Sequence, residues 1–409
     1  MKTALAFAIA TMLAACGETD PDAPAAGAPG TSVGGEAPSA GGAAGVGGSA
    51  DGGHGGVHVV EACPTSLGVA GEWERITPPE LVGEDGLVIS EFGIHQVVVD
   101  PKDPRVVYLG TDDLGIYKSE DCGATFVHID TGTLGAEIDT GSTLMALDPV
   151  DTNVLYTSSL YGMNGFFRST NGGVDFEQVL TPEVQQYAPY GGFVGGIAID
   201  PDDHAHVVVT WHAECAAPYE SSCFAETLDS GETWVLRNGD PSWLGGEGST
   251  INLLTGDVWL FSSQTNGLWR STDAGDSWAY IDGVEVGHAG GQQYRAGGGA
   301  HYLGSVGGVM FTPDDGETWS LLPSSGANIL GLVGNGDELW ASNAFPYNTN
   351  AHPDPFKPHV TAKLENPQAW SVFDSPMLTS GAASMAYDPD HRILYTANYW
   401  EGAFRIVVK

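Results

Sequence analysis

The sequence predicts an all-β fold built from repeated units, and three observations support this prediction. Five copies of one short pattern recur along the chain, and successive copies begin 50, 58, 44 and 41 residues apart. A second pattern, an apolar run followed by Asp-Pro, occurs four times. Short apolar runs are separated throughout by clusters of Gly, Asp and Pro, as in all-β chains. A repeat of this period is typical of stacked supersecondary units.

The first pattern predicts a tight turn between two strands. Its form is Ser/Thr-x-Asp-x-Gly-x-Thr/Ser-Trp/Phe, and the copies are Ser119–Phe126, Ser169–Phe176, Thr227–Trp234, Ser271–Trp278 and Thr312–Trp319. The third position carries the acceptor and holds Asp121, Asn171, Asp229, Asp273 and Asp314. An Asp carboxylate there can accept backbone N–H groups of the turn, and the Gly can adopt a positive φ. The terminal aromatic residue then starts the next strand and packs inward.

This pattern resembles the Asp-box, also called the BNR repeat, of sialidases, the sortilin ectodomain, photosystem II assembly factors and xyloglucan-cleaving glycoside hydrolases. Those proteins are β-propellers, in which the Asp-box joins the third and fourth strands of a blade. The resemblance therefore implies a β-propeller for this chain. It says almost nothing about activity.

The second pattern predicts the turn that precedes the second strand of a unit. Its copies are centred on Asp100-Pro, Asp148-Pro, Asp200-Pro and Asp388-Pro. Asp followed by Pro initiates turns, because the carboxylate bonds to the local backbone and Pro fixes φ. Another strand follows at once, as in Val106–Gly110.

Counting these units predicts a single seven-bladed β-propeller. Five blades end in the five turns, and a sixth, from about residue 328 to 373, ends in a degenerate turn at Lys363–Trp370. The seventh starts near Ala383 and stops at Lys409 after three strands. We expect Glu72–Ile76 to supply its fourth strand, since Trp-x-x-Ile also follows the fourth turn. This N-terminal strand would complete the last blade and remove the exposed sheet edges.

The N-terminal residues predict export and anchoring rather than fold. Residues 1–15 have a short apolar stretch after Lys2, and Leu13-Ala-Ala-Cys16 resembles the bacterial lipobox, which implies a signal peptide and lipidation at Cys16. Gly17 after this cysteine suggests, by resemblance to Gram-negative lipoproteins, the outer membrane of the cell envelope. Residues 16–57 are rich in Gly, Ala, Pro and Ser and predict a disordered tether, with a mean reach of roughly 35 Å. The propeller is expected over residues 58–409.

Composition excludes some partners. The formal net charge is −38, which argues against nucleic-acid binding. We expect no cofactor and no metal, because the sequence contains neither a Cys-x-x-Cys pair nor a contiguous Asp-x-Asp-x-Asp loop.

The four cysteines after Cys16 suggest two disulfides with three possible pairings. We favour Cys215–Cys223, which would pin a loop, and Cys63–Cys122, which would tie the N-terminal segment to the first turn.

The candidate ligand face lies opposite the repeated turns. In related propellers it is formed by the loops between blades and the loops between second and third strands. Aromatic and carboxylate side chains there suit the binding of sugars or peptides. The ligand-binding candidates are Glu91, His95, Asp113, Asp139, Tyr161, Tyr190, Trp211, His212, Glu247, His288, Tyr294, Trp400 and Glu401.

Parts of the sequence bear on three enzymatic alternatives. A sialidase needs three clustered Arg and an Arg-Ile-Pro signature, which this sequence lacks. The segment Val107–Tyr117 is similar to the first-blade segment of xyloglucan-cleaving hydrolases, and this similarity makes Asp112 a candidate catalytic carboxylate. That family takes its second carboxylate from a second propeller and has Arg where this chain has Gly110. A lyase or other hydrolase using His95, His212 or His288 remains the third alternative.

The sequence therefore favours a membrane-tethered binding protein of the cell envelope over an enzyme. Its partner would be a glycan or an exported protein, the membrane would be contacted through the lipid anchor only, and the chain would be a monomer. The alternative is a glycoside hydrolase with Asp112 as one carboxylate. An assembly-factor role rests on the photosystem resemblance alone, and those factors use a basic patch that this acidic chain does not offer.

Overall fold

The structure is a computed structural model, and it describes residues 61–90, 92–139, 141, 143–159, 165–180, 182–187, 194–244, 249–287, 291–343, 359–373, 375–378 and 380–409. The proposed signal peptide, Cys16 and the tether lie outside the described residues. Within the described ranges, the strands form seven antiparallel four-stranded sheets. The prediction of a seven-bladed β-propeller is therefore confirmed.

Each of the first six blades is one continuous stretch of chain. Blade 1 contains β2 (Ile94–Val99), β3 (Val107–Thr111), β4 (Ile116–Ser119) and β5 (Val127–His128). Blade 2 contains β6 (Thr143–Leu147), β7 (Leu155–Ser159), β8 (Phe166–Ser169) and β9 (Glu177–Gln178). Blade 3 contains β10 (Val194–Ile199), β11 (Val207–Trp211), β12 (Cys223–Thr227) and β13 (Val235–Asn238). Blade 4 contains β14 (Thr250–Leu253), β15 (Trp259–Ser263), β16 (Gly267–Ser271) and β17 (Ala279–Ile281). Blade 5 contains β18 (Gln293–Gly297), β19 (Ala300–Ser305), β20 (Gly308–Thr312) and β21 (Ser320–Leu321). Blade 6 contains β22 (Ile329–Gly334), β23 (Glu338–Asn343), β24 (His359–Lys363) and β25 (Trp370–Val372).

Blade 7 is closed by the beginning of the described chain. Its strands are β26 (Ser384–Asp388), β27 (Ile393–Ala397), β28 (Ala403–Val407) and β1 (Trp73–Arg75). Trp73 lies opposite Ile406 and Arg75 opposite Phe404 in an antiparallel ladder. The predicted closure by the N-terminal strand is thus confirmed.

The five repeated turns all connect the third strand of a blade to the fourth. In blade 1 the Ser119 hydroxyl donates to Asp121 Oδ1 (2.7 Å) and accepts from the Gly123 amide (2.8 Å). Asp121 also accepts the amide and the hydroxyl of Thr125, both at 2.8 Å. The same bonds recur around Asp229, Asp273 and Asp314. Each turn therefore satisfies several of its own backbone donors, and one further amide donates to the neighbouring turn of the same blade, as Cys122 does to the Arg105 carbonyl (2.8 Å).

The Asp-Pro segments form the turns between first and second strands. Asp100 Oδ1 accepts the amides of Lys102 (2.7 Å) and Asp103 (3.1 Å), and Asp148 and Asp388 make equivalent bonds. Because antiparallel strands reverse at each turn, these turns and the repeated turns share one face of the propeller. The opposite face, called the funnel face below, carries the loops between second and third strands and the connections between blades.

The core consists of layers of apolar side chains between adjacent blades. One layer joins blade 7 to blade 1 through Val97, Leu109, Ile393 and Tyr395. Another joins blades 2 and 3. Because a blade is covered by a neighbour on both sides, second strands such as Val107–Thr111 and Val207–Trp211 are buried along their whole length.

Two disulfides are present, Cys63–Cys122 and Cys215–Cys223. Both match the favoured pairings. The first links the segment ahead of β1 to the turn of blade 1, and the second links the ends of the loop between β11 and β12. In the part of the chain that the structure describes, helical structure is limited to the short segments Pro79–Leu81, Gly135–Ile138 and Pro182–Gln185. No helix in the described ranges is long and apolar enough to cross a membrane.

Candidate functional site

The funnel face brings several predicted residues together where blade 7 meets blade 1. The loop between β27 and β28 is joined there to the chain entering blade 1. The Ile94 amide donates to the Tyr399 carbonyl (3.1 Å), and the Val88 amide donates to the Trp400 carbonyl (2.7 Å). Gly93 has φ +83°, and a Cβ at this position would lie 2.2 Å from the Tyr399 carbonyl. Only glycine allows this close approach.

Four rings form what we call the aromatic corner: Phe92, His95, Tyr399 and Trp400. The His95 imidazole packs edge-on against Phe92 and Tyr399, with ring centroids 5.9 and 5.5 Å away. Trp400 lies 6.4 Å from Phe92 and 5.8 Å from Tyr399. Phe92 and Trp400 are partly exposed, whereas Tyr399 is buried. The corner therefore offers apolar ring surface at the mouth of the funnel.

Asp112 lies directly beside this corner. It follows β3, its side chain is buried, and its Oδ1 is 3.9 Å from His95 Nε2. The Asp112 amide donates to the Gly93 carbonyl (3.0 Å), which holds the loop in place. Burial lowers the pKa of His95 to about 4, so this imidazole is neutral near pH 7. His95 Nε2 is buried and has no hydrogen-bond partner among the described residues.

Two other carboxylates flank the corner. Asp113 is exposed, and its amide donates to the Ser90 hydroxyl (3.3 Å). Glu401 Oε2 accepts from both the amide (2.8 Å) and the hydroxyl (2.7 Å) of Ser380. Glu401 thus fixes the connection between blades 6 and 7. The predicted residues His95, Asp112, Asp113, Trp400 and Glu401 are all placed in this region.

Asp139 occupies a different part of the funnel face, between blades 1 and 2. It lies near His128 and Asp130, which the sequence analysis did not single out. His128 Nε2 is 2.9 Å from Asp130 Oδ1 and 3.3 Å from Asp139 Oδ1. Burial and the neighbouring Asp139 carboxylate raise the pKa of Asp130 to about 7. A His at the end of a fourth strand followed by Asp was the available sequence signal for this group.

Trp211 and Tyr294 are not where the sequence prediction placed them. Trp211 is 1 % exposed and packs in the core between blades 2 and 3, so it supports the wall of the funnel and presents no stacking face. Tyr294 lies within β18, and its hydroxyl accepts the Gly336 amide (2.8 Å) in the first turn of blade 6. That turn is on the opposite face. The two corrections have different causes: β11 is buried along its whole length, whereas Tyr294 is half-buried and its hydroxyl is bonded at the opposite face.

The remaining predicted ligand-binding residues add no exposed side chain to the described funnel face. His212 directly follows β11 and is buried. Glu91, Tyr161, Tyr190, Glu247 and His288 lie outside the described residues. Gln292, which the sequence also places near the funnel, bridges inner strands of two other blades: its Oε1 accepts the amides of Leu332 (3.1 Å) and Met385 (2.8 Å).

Comparison with solved structures supports the fold. The GH74 xyloglucanase from Xanthomonas campestris aligns with a TM-score of 0.53 and 16 % identity over 81 % of this chain and 52 % of its own. YCF48 from Cyanidioschyzon merolae aligns with 0.55 and 12 % identity over 83 % and 99 %. Virginiamycin B lyase from Staphylococcus aureus, in a catalytically inactive form with quinupristin, aligns with 0.53 and 13 % over 82 % and 98 %.

These similarities concern architecture. This chain spans about half the length of the xyloglucanase. No family model matches the sequence, and no curated protein sequence matches it either. At such low identities the comparisons show the β-propeller fold alone.

Proposed function

We propose that this protein is a cell-envelope binding protein whose funnel face binds a glycan at the aromatic corner. The proposal includes the anchor suggested by the N-terminal sequence, a lipid on Cys16, and the tether that follows it. The observation that carries the binding proposal is the combination of partly exposed rings with the buried His95 Nε2, for which the described residues provide no hydrogen-bond partner.

A sugar ring complements both parts of this surface. Its apolar C–H face can stack on Trp400 or Phe92, which contribute large contact areas at low cost in entropy. If the corner opens as the ring seats, one of its hydroxyls reaches His95 Nε2 and satisfies a buried polar atom whose isolation costs about 1–3 kcal/mol. Asp112, 3.9 Å from that nitrogen, is placed to accept a second hydroxyl. Exported proteins are the alternative class of ligand.

The test is a glycan array and a polysaccharide pull-down with the full chain and two matched variants. Trp400→Ala removes a ring of the corner. Tyr280→Ala removes an exposed ring from β17, the outer strand of blade 4. Loss of about 1.4 kcal/mol of stacking corresponds to a tenfold weaker affinity, so we expect at least that loss for Trp400→Ala and none for Tyr280→Ala. Equal affinity of Trp400→Ala and wild type for every glycan that binds would refute the corner as the site.

The affinity should also depend on pH in one direction. Because burial lowers the pKa of His95 to about 4, its imidazole stays neutral from pH 8 down to about 5. Binding should be constant over that range and weaken as the pH approaches 4 and the ring is protonated. Titration calorimetry at several pH values measures this profile, and weakening that begins near pH 6.5 would contradict the assignment of His95.

Hydrolysis is the second candidate, and the placement of Asp112 at the funnel end of β3 favours it. A mechanism with two carboxylates needs a second acid about 5–10 Å away. Asp113 and Glu401 stand on the two loops that meet at the corner. Release of oligosaccharide that Asp112→Asn abolishes would identify an enzyme, whereas binding without turnover would identify a glycan receptor. If no glycan binds, an exported protein becomes the expected partner.

A further inference from the structure

The group formed by His128, Asp130 and Asp139, called the blade 1–2 cluster, has the composition of a metal site. One imidazole nitrogen and two carboxylate oxygens, one from each residue, lie within 4.8 Å of one another. His128 ends the fourth strand of blade 1, Asp130 follows it, and Asp139 comes just after the short helix Gly135–Ile138. The connection between two blades thus folds back so that these groups converge.

Asp130 supplies a second, independent observation. Its side chain is 0 % exposed. Oδ1 accepts the Ile116 amide (2.9 Å) and lies 2.9 Å from His128 Nε2, whereas Oδ2 is buried and finds no N–H or O–H donor among the described residues unless it shares a proton with Asp139. A buried carboxylate oxygen left unpaired is costly, and a carboxylate neighbour cannot donate to it. This oxygen therefore needs a proton or a cation.

Gly115 keeps space open beside this oxygen. It belongs to the loop between β3 and β4 and has φ +73°. A Cβ built on it would lie 2.2 Å from Asp139 Oδ1, 2.3 Å from Asp130 Oδ2 and 2.7 Å from His128 Nε2. The three ligand atoms therefore converge over the face of the glycine that lacks a side chain. Any other residue at this position would fill the space.

We propose that the blade 1–2 cluster binds one divalent cation of the zinc or manganese class. An imidazole with two carboxylates suits these metals, whereas Ca²⁺ takes about six to eight oxygen ligands. Ligand distances of about 2.0–2.2 Å from a central ion are compatible with donor atoms this close together. The two negative charges balance the ion.

The site is open on one side. His128 and Asp139 are 33 % and 36 % exposed at their side chains, so an ion can reach them from solvent. Three protein ligands leave positions for water, as in metal sites that keep an open coordination position. The other group of potential ligands in the described ranges, Cys63, Cys122 and His391, is unsuitable because both sulfurs are consumed in a disulfide.

The experiment uses the full chain in a Cys16→Ser background, which removes the cysteine outside the two disulfides. The chelator-treated protein is titrated with Zn²⁺ and Mn²⁺ in excess Mg²⁺, since the acidic chain attracts cations weakly everywhere. We expect one ion per chain, with at least tenfold weaker binding in Asp139→Asn and in His128→Gln. Co²⁺ absorption gives a readout of imidazole and carboxylate ligation that does not depend on any activity.

The matched control is His204→Gln. His204 is about as exposed as His128 and pairs with the buried Asp148 (2.8 Å) on the opposite face, and its variant should bind the metal like wild type. Because Asp139 is partly exposed, Asp139→Asn should fold normally, and circular dichroism checks this. Absence of saturable binding to wild type would overturn the proposal and indicate a proton shared by Asp130 and Asp139. Equal binding by Asp139→Asn and wild type would overturn it too.

Discussion

At the scale of single residues, the carboxylates of the repeated turns act as local anchors. In blade 4, Asp273 accepts the hydroxyl of Ser277 and its amide, and also the hydroxyl of Ser271. The Ser277 hydroxyl and amide, followed by the Ser271 hydroxyl, lower the pKa of Asp273 to about 2. These hydrogen bonds favour the ionised carboxylate over the protonated one, so the turn is most stable when Asp273 is ionised.

This shift predicts how the turn contributes to stability as the pH changes. The folded pKa of Asp273 is below the unfolded value of about 3.9, so its contribution is full above pH 4 and is lost as the pH falls towards 2. Asp273→Asn should therefore unfold at lower urea concentration than wild type at pH 7, and the difference should shrink between pH 4 and pH 2. The exposed Asp282→Asn is the control. A difference that stays constant with pH would refute this explanation.

The repeated turn of blade 2, Ser169–Phe176, makes the corresponding hydrogen bonds with different residues. Asn171 replaces the usual Asp, and Asp175 replaces the usual Thr or Ser. The Asn171 side-chain amide donates to Asp175 Oδ2 (2.9 Å), and Asn171 Oδ1 accepts the Asp175 amide (3.0 Å). Donor and acceptor have exchanged positions, so the bond between the two side chains survives. In the sequence Asn171 and Asp175 are two departures from the pattern, and only the folded turn shows that they compensate each other.

Residue-level prediction of the site was uneven for a physical reason. Asp112 and Trp400 belong to short loops whose face follows from the strand count, so their location could be predicted. Trp211 is the last residue of a strand buried on both sides, where no alternation of apolar and polar residues distinguishes core from funnel. His128 and Asp139 are 11 positions apart, with a short helix between them, and only the folded connection brings them together with Asp130.

At the scale of elements, the inner strands of adjacent blades are linked by side-chain amides. Gln96 Oε1 accepts the Met145 amide (2.5 Å), and its Nε2 donates to the Met145 carbonyl (2.8 Å). Gln292, at the entry to blade 5, accepts the amides of Leu332 in blade 6 and Met385 in blade 7 through Oε1, and its Nε2 donates to the Met385 carbonyl. A carboxamide presents one donor and one acceptor as a peptide group does, and so it extends hydrogen bonding from one sheet to the next.

The two disulfides close loops of very different length, so they should contribute differently to the free energy of unfolding. Their cysteines are separated by 59 and 8 positions. By loop-closure entropy, Cys63–Cys122 should contribute about 4 kcal/mol and Cys215–Cys223 about 2.5 kcal/mol to the free energy of unfolding. The double variants Cys63→Ser/Cys122→Ser and Cys215→Ser/Cys223→Ser should differ in that order in denaturant unfolding. The reverse order would show that packing or native-state strain outweighs the loop length.

At the scale of the whole molecule, the blade count and the closure could be predicted because each depends on a repeated local signal. Turn chemistry recurs in five blades, and the strand missing from the C-terminal unit is found before the first unit. What surrounds the funnel could not be predicted in the same way, because it depends on loops that differ from blade to blade. The fold therefore follows from the repeated turns, whereas the candidate site is formed by loops that differ between blades.

Several interactions fasten the ring where its two ends meet. Glu74 in β1 pairs with Arg405 in β28, and Arg405 also donates to the Cys122 carbonyl in the turn of blade 1. The Tyr395 hydroxyl donates to the same carbonyl (3.0 Å). Trp73 packs against His359 and Phe373 of blade 6, with ring centroids 5.3 and 5.8 Å away. The closing blade is therefore attached to both of its neighbours.

Trp73 tests whether this closure governs global stability. Trp73→Ala should lower the free energy of unfolding by about 3–5 kcal/mol, the usual cost of truncating a buried Trp. It should also speed hydrogen exchange in β28 and in blade 1, because the ring opens where its ends join. Trp319→Ala is the matched control, since Trp319 has the equivalent position in blade 5, whose four strands are continuous in sequence. If Trp73→Ala accelerates exchange in β28 no more than Trp319→Ala does, the ring does not open at its closure, and the terminal strand stabilises only the blade it completes.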